Sequence, residues 1–194
     1  MRKYVLMTAL FLMSLSAGAQ KLGDIFNGVV NSVVGDKQTT AESIVGSWSF
    51  RGSDCCLDSD DFLSKAGGKI ASAKLVDKLD EVISHARLKD MVLTLEKDGK
   101  FCIKAGKKLI TGTYTFDGKK KIVDMHSSLG FSHKAFVRVK GDELFMNFKS
   151  DKIINVVKDL SSRFSAYDKR IMLLSKAVSN YKGMKLGFRM GRNE

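Results

Sequence analysis

Residues 91–148 read MVLTLEKDGKFCIKAGKKLITGTYTFDGKKKIVDMHSSLGFSHKAFVRVKGDELFMNF, and this stretch decides the fold. Apolar residues occur at every second position along most of it, which is the period of a β-strand with one buried face. Asp98-Gly99, Asp117-Gly118 and Gly141-Asp142 interrupt the alternation, and such dipeptides are typical of tight turns between antiparallel strands. The stretch therefore predicts an antiparallel meander of six strands.

Two further strands are predicted outside this stretch. Ile44 to Gly52 alternates with Trp48 and Phe50 on one face, and Lys185 to Met190 alternates in the same way. Eight strands are enough to close an up-and-down barrel, and pairing of the first strand with the last removes both exposed edges. We therefore predict a mainly β fold, an eight-stranded antiparallel barrel, within residues 44–194.

Helical patterns interrupt the strands at two places, at about residues 57–87 and 150–182. The first insert contains a short helix from Ser59 to Gly67 and then a longer amphipathic helix. The second contains two helices, and the later one begins near a capping box at Ser165. Because the strands run up and down, both inserts fall at one end of the barrel, where they are predicted to form a roof. The hairpin turns at the other end carry Lys97, Lys100, Lys119, Lys120, Lys121 and Lys140.

The N-terminus has the pattern of a secretory signal peptide over residues 1–19. Two cations precede an apolar run of residues 4–15, and Ala17-Gly18-Ala19 ends it with small residues at both recognition positions. We expect cleavage before Gln20 and export to the periplasm or the medium. No cysteine occupies the first position after the cleavage point, where Gln20 stands, so the exported protein is predicted not to be a lipoprotein. Residues 20–43 are predicted to form an amphipathic helix and a linker into the barrel.

The chain carries a net charge of +12, which becomes +10 when Arg2 and Lys3 leave with the signal peptide. This excess has two interpretations, solubility or affinity for an anionic partner. Binding of single-stranded nucleic acid needs aromatic residues interleaved with cations on one surface. Here the aromatic residues fall on inward-facing strand positions, so no specific nucleic-acid partner is predicted. No segment after residue 19 is apolar enough to span a membrane.

Three cysteines are present: Cys55, Cys56 and Cys102. Export permits disulfides, and three cysteines allow at most one internal pair. The candidate pairing joins Cys102 to Cys55 or to Cys56. Adjacent cysteines lack the two-residue gap of a redox or zinc motif, so neither activity is predicted.

No catalytic, metal or cofactor motif is found in the sequence. There is no nucleophile elbow, phosphate loop or dinucleotide-binding glycine motif, and we predict that the protein is not an enzyme and has no cofactor. The histidines are His85, His126 and His133. His126 and His133 flank one loop and are close enough in sequence to approach each other across a hairpin. Two histidines without a carboxylate ligand are nevertheless a poor zinc site.

The inward strand positions are almost entirely apolar, which makes the interior the candidate binding site. An eight-stranded barrel is either filled by its side chains or holds one small ligand. Bulky rings favour filling, whereas adaptable methionines and Gly112 favour local space. The candidate ligand-binding residues in the interior and at the mouth are Trp48, Phe50, Tyr114, Phe116, Met125, Phe131, Met146, Phe148 and Phe188.

Gly46-Ser47-Trp48 on the first predicted strand resembles the G-x-W motif at the start of lipocalins, in which the tryptophan packs across the base of the barrel. The chain from residue 20 onward is similar to a lipocalin-like family of exported proteins of unknown function from Bacteroides-type gut bacteria. The similarity includes Lys65-Ala66-Gly67-Gly68, Gly112-Thr113-Tyr114 and Lys185-Leu186-Gly187-Phe188. This resemblance implies a lipocalin-like barrel and supplies no activity.

Two hypotheses for function follow from the sequence. In the first, the barrel binds a small apolar molecule beneath its helical roof. In the second, the protein is a ligand-free interaction module that binds another protein or an anionic envelope polymer through helical and lysine-rich surfaces. The volume of the barrel interior distinguishes the two.

Overall fold

The structure is a computed structural model that describes residues 38–57, 66–161, 168–179 and 183–193, without the side chains of Leu57 and of residues 66–70. The predicted signal peptide and the predicted helix of residues 21–35 therefore lie outside the described residues. The short helix predicted from Ser59 and the capping box at Ser165 lie outside them as well.

Eight antiparallel strands close into a barrel in chain order, with β1 paired to both β2 and β8. This confirms the predicted up-and-down barrel. The strands are β1 Gly46–Leu57, β2 Val92–Leu95, β3 Lys100–Ala105, β4 Lys108–Asp117, β5 Ile122–Ser127, β6 Ser132–Lys140, β7 Glu143–Lys149 and β8 Met184–Arg192. Buried and exposed residues alternate along them, as in β3, where Phe101, Ile103 and Ala105 are buried.

Strand β1 extends five residues beyond the predicted end at Gly52. A bulge between Phe50 and Gly52 interrupts its pairing with β8, and the pairing then continues to Leu57↔Met184. Cys55 and Cys56 therefore lie within a paired strand, beyond the predicted end of that strand at Gly52. The extension depends on β8, which supplies hydrogen-bond partners from the far end of the chain.

Four helices are described: α1 Ala41–Ile44, α2 Ala66–Ala86, α3 Ile153–Leu160 and α4 Lys169–Ser179. α2 runs through Gly67, where the sequence predicted a break, and it packs on β1 and α4. α4 begins after Asp168, whose carboxylate accepts a hydrogen bond from the backbone N–H of Arg170 at 2.9 Å. None of the helices in the described ranges combines the length and the apolar character needed to cross a bilayer.

The hairpin end of the barrel is closed by the segment that leads into β1. Ile44 is fully buried at the end of α1, and its carbonyl accepts a hydrogen bond from the indole N–H of Trp48 at 2.9 Å. The Arg192 guanidinium lies 4.1 Å from the centroid of the Trp48 ring and donates to the carbonyls of Ser43 and Val45. Trp48 therefore packs across the base of the barrel, as the resemblance to lipocalins implied.

Candidate functional site

A void of about 30 Å³ lies inside the barrel beneath α3. This volume holds about one water molecule, so side chains fill nearly all of the barrel interior among the described residues. The residues that line the void are Met91, Leu93, Phe101, Ile103, Met125, Phe131, His133, Met146, Phe148, Val156, Leu160, Phe188 and Met190. Four are methionines and four are phenylalanines, and His133 is the one lining residue with a polar nitrogen or oxygen in its side chain.

Five of the nine predicted ligand-binding residues line this void: Met125, Phe131, Met146, Phe148 and Phe188. The other four fill the barrel elsewhere. Trp48 packs at the base, Phe50 packs edge-on against Phe188 at 6.1 Å between ring centroids, and the Tyr114 hydroxyl donates to the carbonyl of Glu96 at 2.7 Å. Phe116 is half-buried against the core. These rings act in packing and do not face the void.

Eight residues of the lining were not among the predicted site residues: Met91, Leu93, Phe101, Ile103, His133, Val156, Leu160 and Met190. A signal for His133 is nevertheless present in the sequence. His133 alternates in register with Ala135 and Val137, both of which are buried. The same alternation that assigns an alanine to the interior therefore assigns this imidazole to it.

The expectation that Gly112 leaves local space is wrong. A Cβ at this position would lie 2.7 Å from a ring carbon of Phe101 and closer still to the carbonyl oxygen of His126. The glycine allows β4 and β5 to approach closely while the Phe101 ring occupies the space over it. Gly112 therefore contributes to filling the barrel.

His126 and His133 do not approach each other across the hairpin, because the two rings lie on opposite faces of the sheet. His133 pairs in register with buried Met125, whereas His126 is exposed and lies 3.5 Å from Asp124. His85 lies on α2, 3.6 Å from Asp168. Among the described residues, no three His, Cys, Asp or Glu side chains are grouped so that they would hold a metal ion.

α3 covers the void with the buried face formed by Ile153, Val156, Val157 and Leu160. Polar contacts hold its C-terminal turn to the barrel. The Asp159 carboxylate lies 2.8 Å from Nε2 of His133, and the Asp159 carbonyl accepts from the Lys108 ammonium. The hydroxyl of Ser161 donates to the carbonyl of Ala86 at the end of α2.

The candidate disulfide is contradicted, since all three cysteines are free in the structure. Cys102 is in register with Thr94, which is in register with Ser47 of β1. Cys55 lies eight residues further along β1, or roughly 25 Å at about 3.3 Å per residue. A disulfide requires Cα atoms within about 7 Å, so Cys102 is too far from Cys55 and Cys56 to form one.

We expect Cys56 to resist alkylation at neutral pH, because burial raises the pKa of its thiol to about 11. The thiolate is the reactive form, and at pH 7.5 only about one thiol in a few thousand is ionised at such a pKa. Its rate of reaction with iodoacetamide should therefore rise about tenfold for each pH unit up to pH 9.5. Mass mapping of the alkylated peptides gives this rate. Urea-unfolded protein is the control, and rapid labelling of folded protein at pH 7.5 would contradict the burial of Cys56.

The sequence of the chain matches a known protein family. No curated protein shows significant similarity to the chain. A solved structure described as a DUF4847 family protein from Bacteroides vulgatus ATCC 8482 aligns with 14% identity and a TM-score of 0.38, over 79% of this chain and 98% of that one. The family model "Lipocalin-like domain (DUF4923)" matches residues 21–192, which include the whole barrel and both helical inserts. The chain therefore belongs to the lipocalin-like domain family DUF4923.

Proposed function

We propose that the protein is an exported, non-catalytic binding module whose ligand is a small apolar molecule held inside the barrel beneath α3. The observation that carries the proposal is the void at this place, whose lining is apolar except for His133. Such a lining is typical of small-molecule sites, in which a few polar groups orient a ligand that is otherwise removed from water. Export is proposed from the sequence of residues 1–19.

The ligand requires more room than the closed barrel offers. A void of about 30 Å³ is some ten times smaller than a typical ligand pocket of roughly 300 Å³. Two features favour expansion of the void. Its four methionines are unbranched and repack at little cost. α3 has eight residues, and a helix of this length is not stable in water by itself, so it depends on the contacts beneath it.

A second candidate function is the ligand-free interaction module, which the small volume of the void favours. Its surface includes four exposed large apolar residues: Leu109, Leu129, Met172 and Leu173. An anionic polymer is a weaker partner for the hairpin end, because several of its lysines are engaged within the protein. Lys100 lies 2.6 Å from Asp98, Lys120 lies 3.6 Å from Asp117, and Lys121 donates to the carbonyl of Thr39.

We expect Val156→Phe to weaken ligand binding, because the added ring occupies the void that Val156 lines. The probe is N-phenyl-1-naphthylamine, whose fluorescence rises when it leaves water. Saturable binding by the unchanged protein is the expected result, with the affinity reduced about tenfold or more by Val156→Phe. Asn155→Phe is the matched control, since Asn155 is exposed on the same helix and its added ring points away from the barrel.

Hydrogen exchange provides a second readout of the same proposal. If α3 is the entrance, its amides exchange faster than those of the strands and slow down when the probe is added, because binding stabilises the closed state. Absence of saturable binding by the unchanged protein, together with slow exchange in α3 that ignores the probe, would reject the ligand-binding proposal. The interaction module would then be the supported function.

A further inference from the structure

Where α3 contacts the barrel mouth, a negatively charged side chain lies at the C-terminal end of the helix, which is an unfavourable place for it. Asp159 lies in the last turn of α3, where the helix dipole disfavours negative charge. Its position is instead explained by partners from the barrel, which are the His133 imidazole at 2.8 Å from the carboxylate and the Lys108 ammonium at the carbonyl. Lys108 also supplies a donor to a carbonyl that the helix leaves without an intrahelical partner.

His133 lies at the point where the apolar interior meets the roof. Its ring lies 5.3 Å from the ring of Phe131 and 6.3 Å from that of Phe148, between centroids. Its side chain is 14% exposed, compared with 35% for Asp159. The nearby carboxylate of Asp124 pairs with Lys134 at 2.7 Å and with His126 on the outer face, so it does not compete for His133.

The side chains that the end of α3 presents to the barrel combine apolar groups with one carboxylate, as an anionic amphiphile does. Val156 and Leu160 contribute apolar groups to the void, and Asp159 places a carboxylate on the imidazole at its rim. Displacing α3 to admit a ligand removes all three groups together. It leaves the half-buried His133 without its partner, and an unpaired polar group in such a place is costly.

We infer that His133 and Lys108, which both contact Asp159 of α3, form a headgroup site for the carboxylate of a single-chain amphiphile, whose alkyl chain enters the void in place of the roof side chains. This inference rests on the proposed function and names its ligand class. A ligand carboxylate restores the hydrogen bonds of both groups, and such charge-assisted bonds are stronger than neutral ones. An alkyl chain is narrow and flexible, so it requires the least displacement of the methionines.

The test compares decanoate with decan-1-ol as competitors of N-phenyl-1-naphthylamine at pH 7, using the full chain. The two ligands share an alkyl chain and differ in the headgroup charge. We expect decanoate to bind about tenfold or more tightly than the alcohol. His133→Gln and Lys108→Met should each reduce this preference, which is measured as the ratio of the two affinities in the same variant. Asp159→Asn should tighten decanoate binding several-fold, because it removes the competing internal carboxylate.

His126→Gln is the matched control, because His126 also lies beside an aspartate but is exposed on the outer face. It should change neither affinity. Equal affinities of the unchanged protein for decanoate and decan-1-ol would overturn the inference while leaving the proposed function intact. A preference for decanoate that survives both His133→Gln and Lys108→Met would overturn it as well. If neither ligand displaces the probe and the probe itself does not bind, the proposed function fails first. Circular dichroism identifies any variant that does not fold, and Asp159→Asn then tests the site independently.

Discussion

Trp48→Ala is expected to lower the free energy of unfolding by about 3–5 kcal/mol, the range measured when large aromatic residues are truncated in protein cores. Trp48 has no exposed surface, and its indole closes the base of the barrel. The substitution creates a cavity, leaves the carbonyl of Ile44 without the indole donor and removes the ring beneath Arg192. Each of these changes acts in the same direction.

Urea unfolding followed by far-UV circular dichroism measures this loss, since the chain has a single tryptophan and the variant loses its fluorescence. Trp48→Phe keeps a ring but not the N–H donor, so its loss should be smaller. Leu109→Ala is the control for removing a large apolar side chain, because Leu109 is 63% exposed and should change stability by no more than about 0.5 kcal/mol. A Trp48→Ala variant as stable as the Leu109→Ala variant would show that the base is not part of the cooperative core.

Gly187→Ala is expected to be the most damaging single-methyl addition to the barrel, with a loss of about 1–3 kcal/mol or more. A Cβ on Gly187 would lie 2.7 Å from the Cα of Asn147 and closer still to the carbonyl oxygen of Met146. Both neighbours are backbone atoms of β7, so they cannot move aside as a flexible side chain would. The methyl group must therefore separate β7 from β8, which pair along their length.

Gly52→Ala is the matched control for this prediction. It also adds a methyl group to a strand glycine, but the nearest atom to its Cβ is the end of the Arg189 side chain at 3.7 Å. We expect a change of no more than about 0.5 kcal/mol, measured by the same urea unfolding. Equal stabilities of the Gly187→Ala and Gly52→Ala variants would contradict the close approach of β7 and β8.

The barrel itself was predictable because its signals are local. Alternation along a strand assigns every second side chain to the interior, and a turn of fixed length sets the register between neighbours. Tyr114 and Phe148 were thus both predicted to face the interior, and both are buried. At the second hairpin, the residue with a positive φ is Lys121, at 54°, and not Gly118.

The features that sequence reasoning missed all depend on partners distant in the chain. β1 continues through Cys55 and Cys56 because β8 pairs with it, and no local pattern in residues 53–57 predicts that pairing. His133 was predicted only to flank a loop, although its alternation with Ala135 and Val137 is local. What the sequence does not show is its carboxylate partner, which lies in a helix 26 residues later.

The sequence by itself determined the number of strands, their order around the barrel, the end at which the helices lie and the tryptophan at the base. The first three follow from the two-residue period of strands, the turn dipeptides and the up-and-down direction of a meander. The tryptophan at the base was implied by the resemblance of Gly46-Ser47-Trp48 to the lipocalin motif. Only the tertiary structure decided that the barrel is filled, that Gly112 and Gly187 mark close strand approaches, and that His133 meets Asp159 beneath the roof. The volume left empty inside a core is the small difference between two large volumes, the one that the strands enclose and the one that the side chains occupy. That difference is set by contacts between residues far apart in the chain and has no local pattern in the sequence.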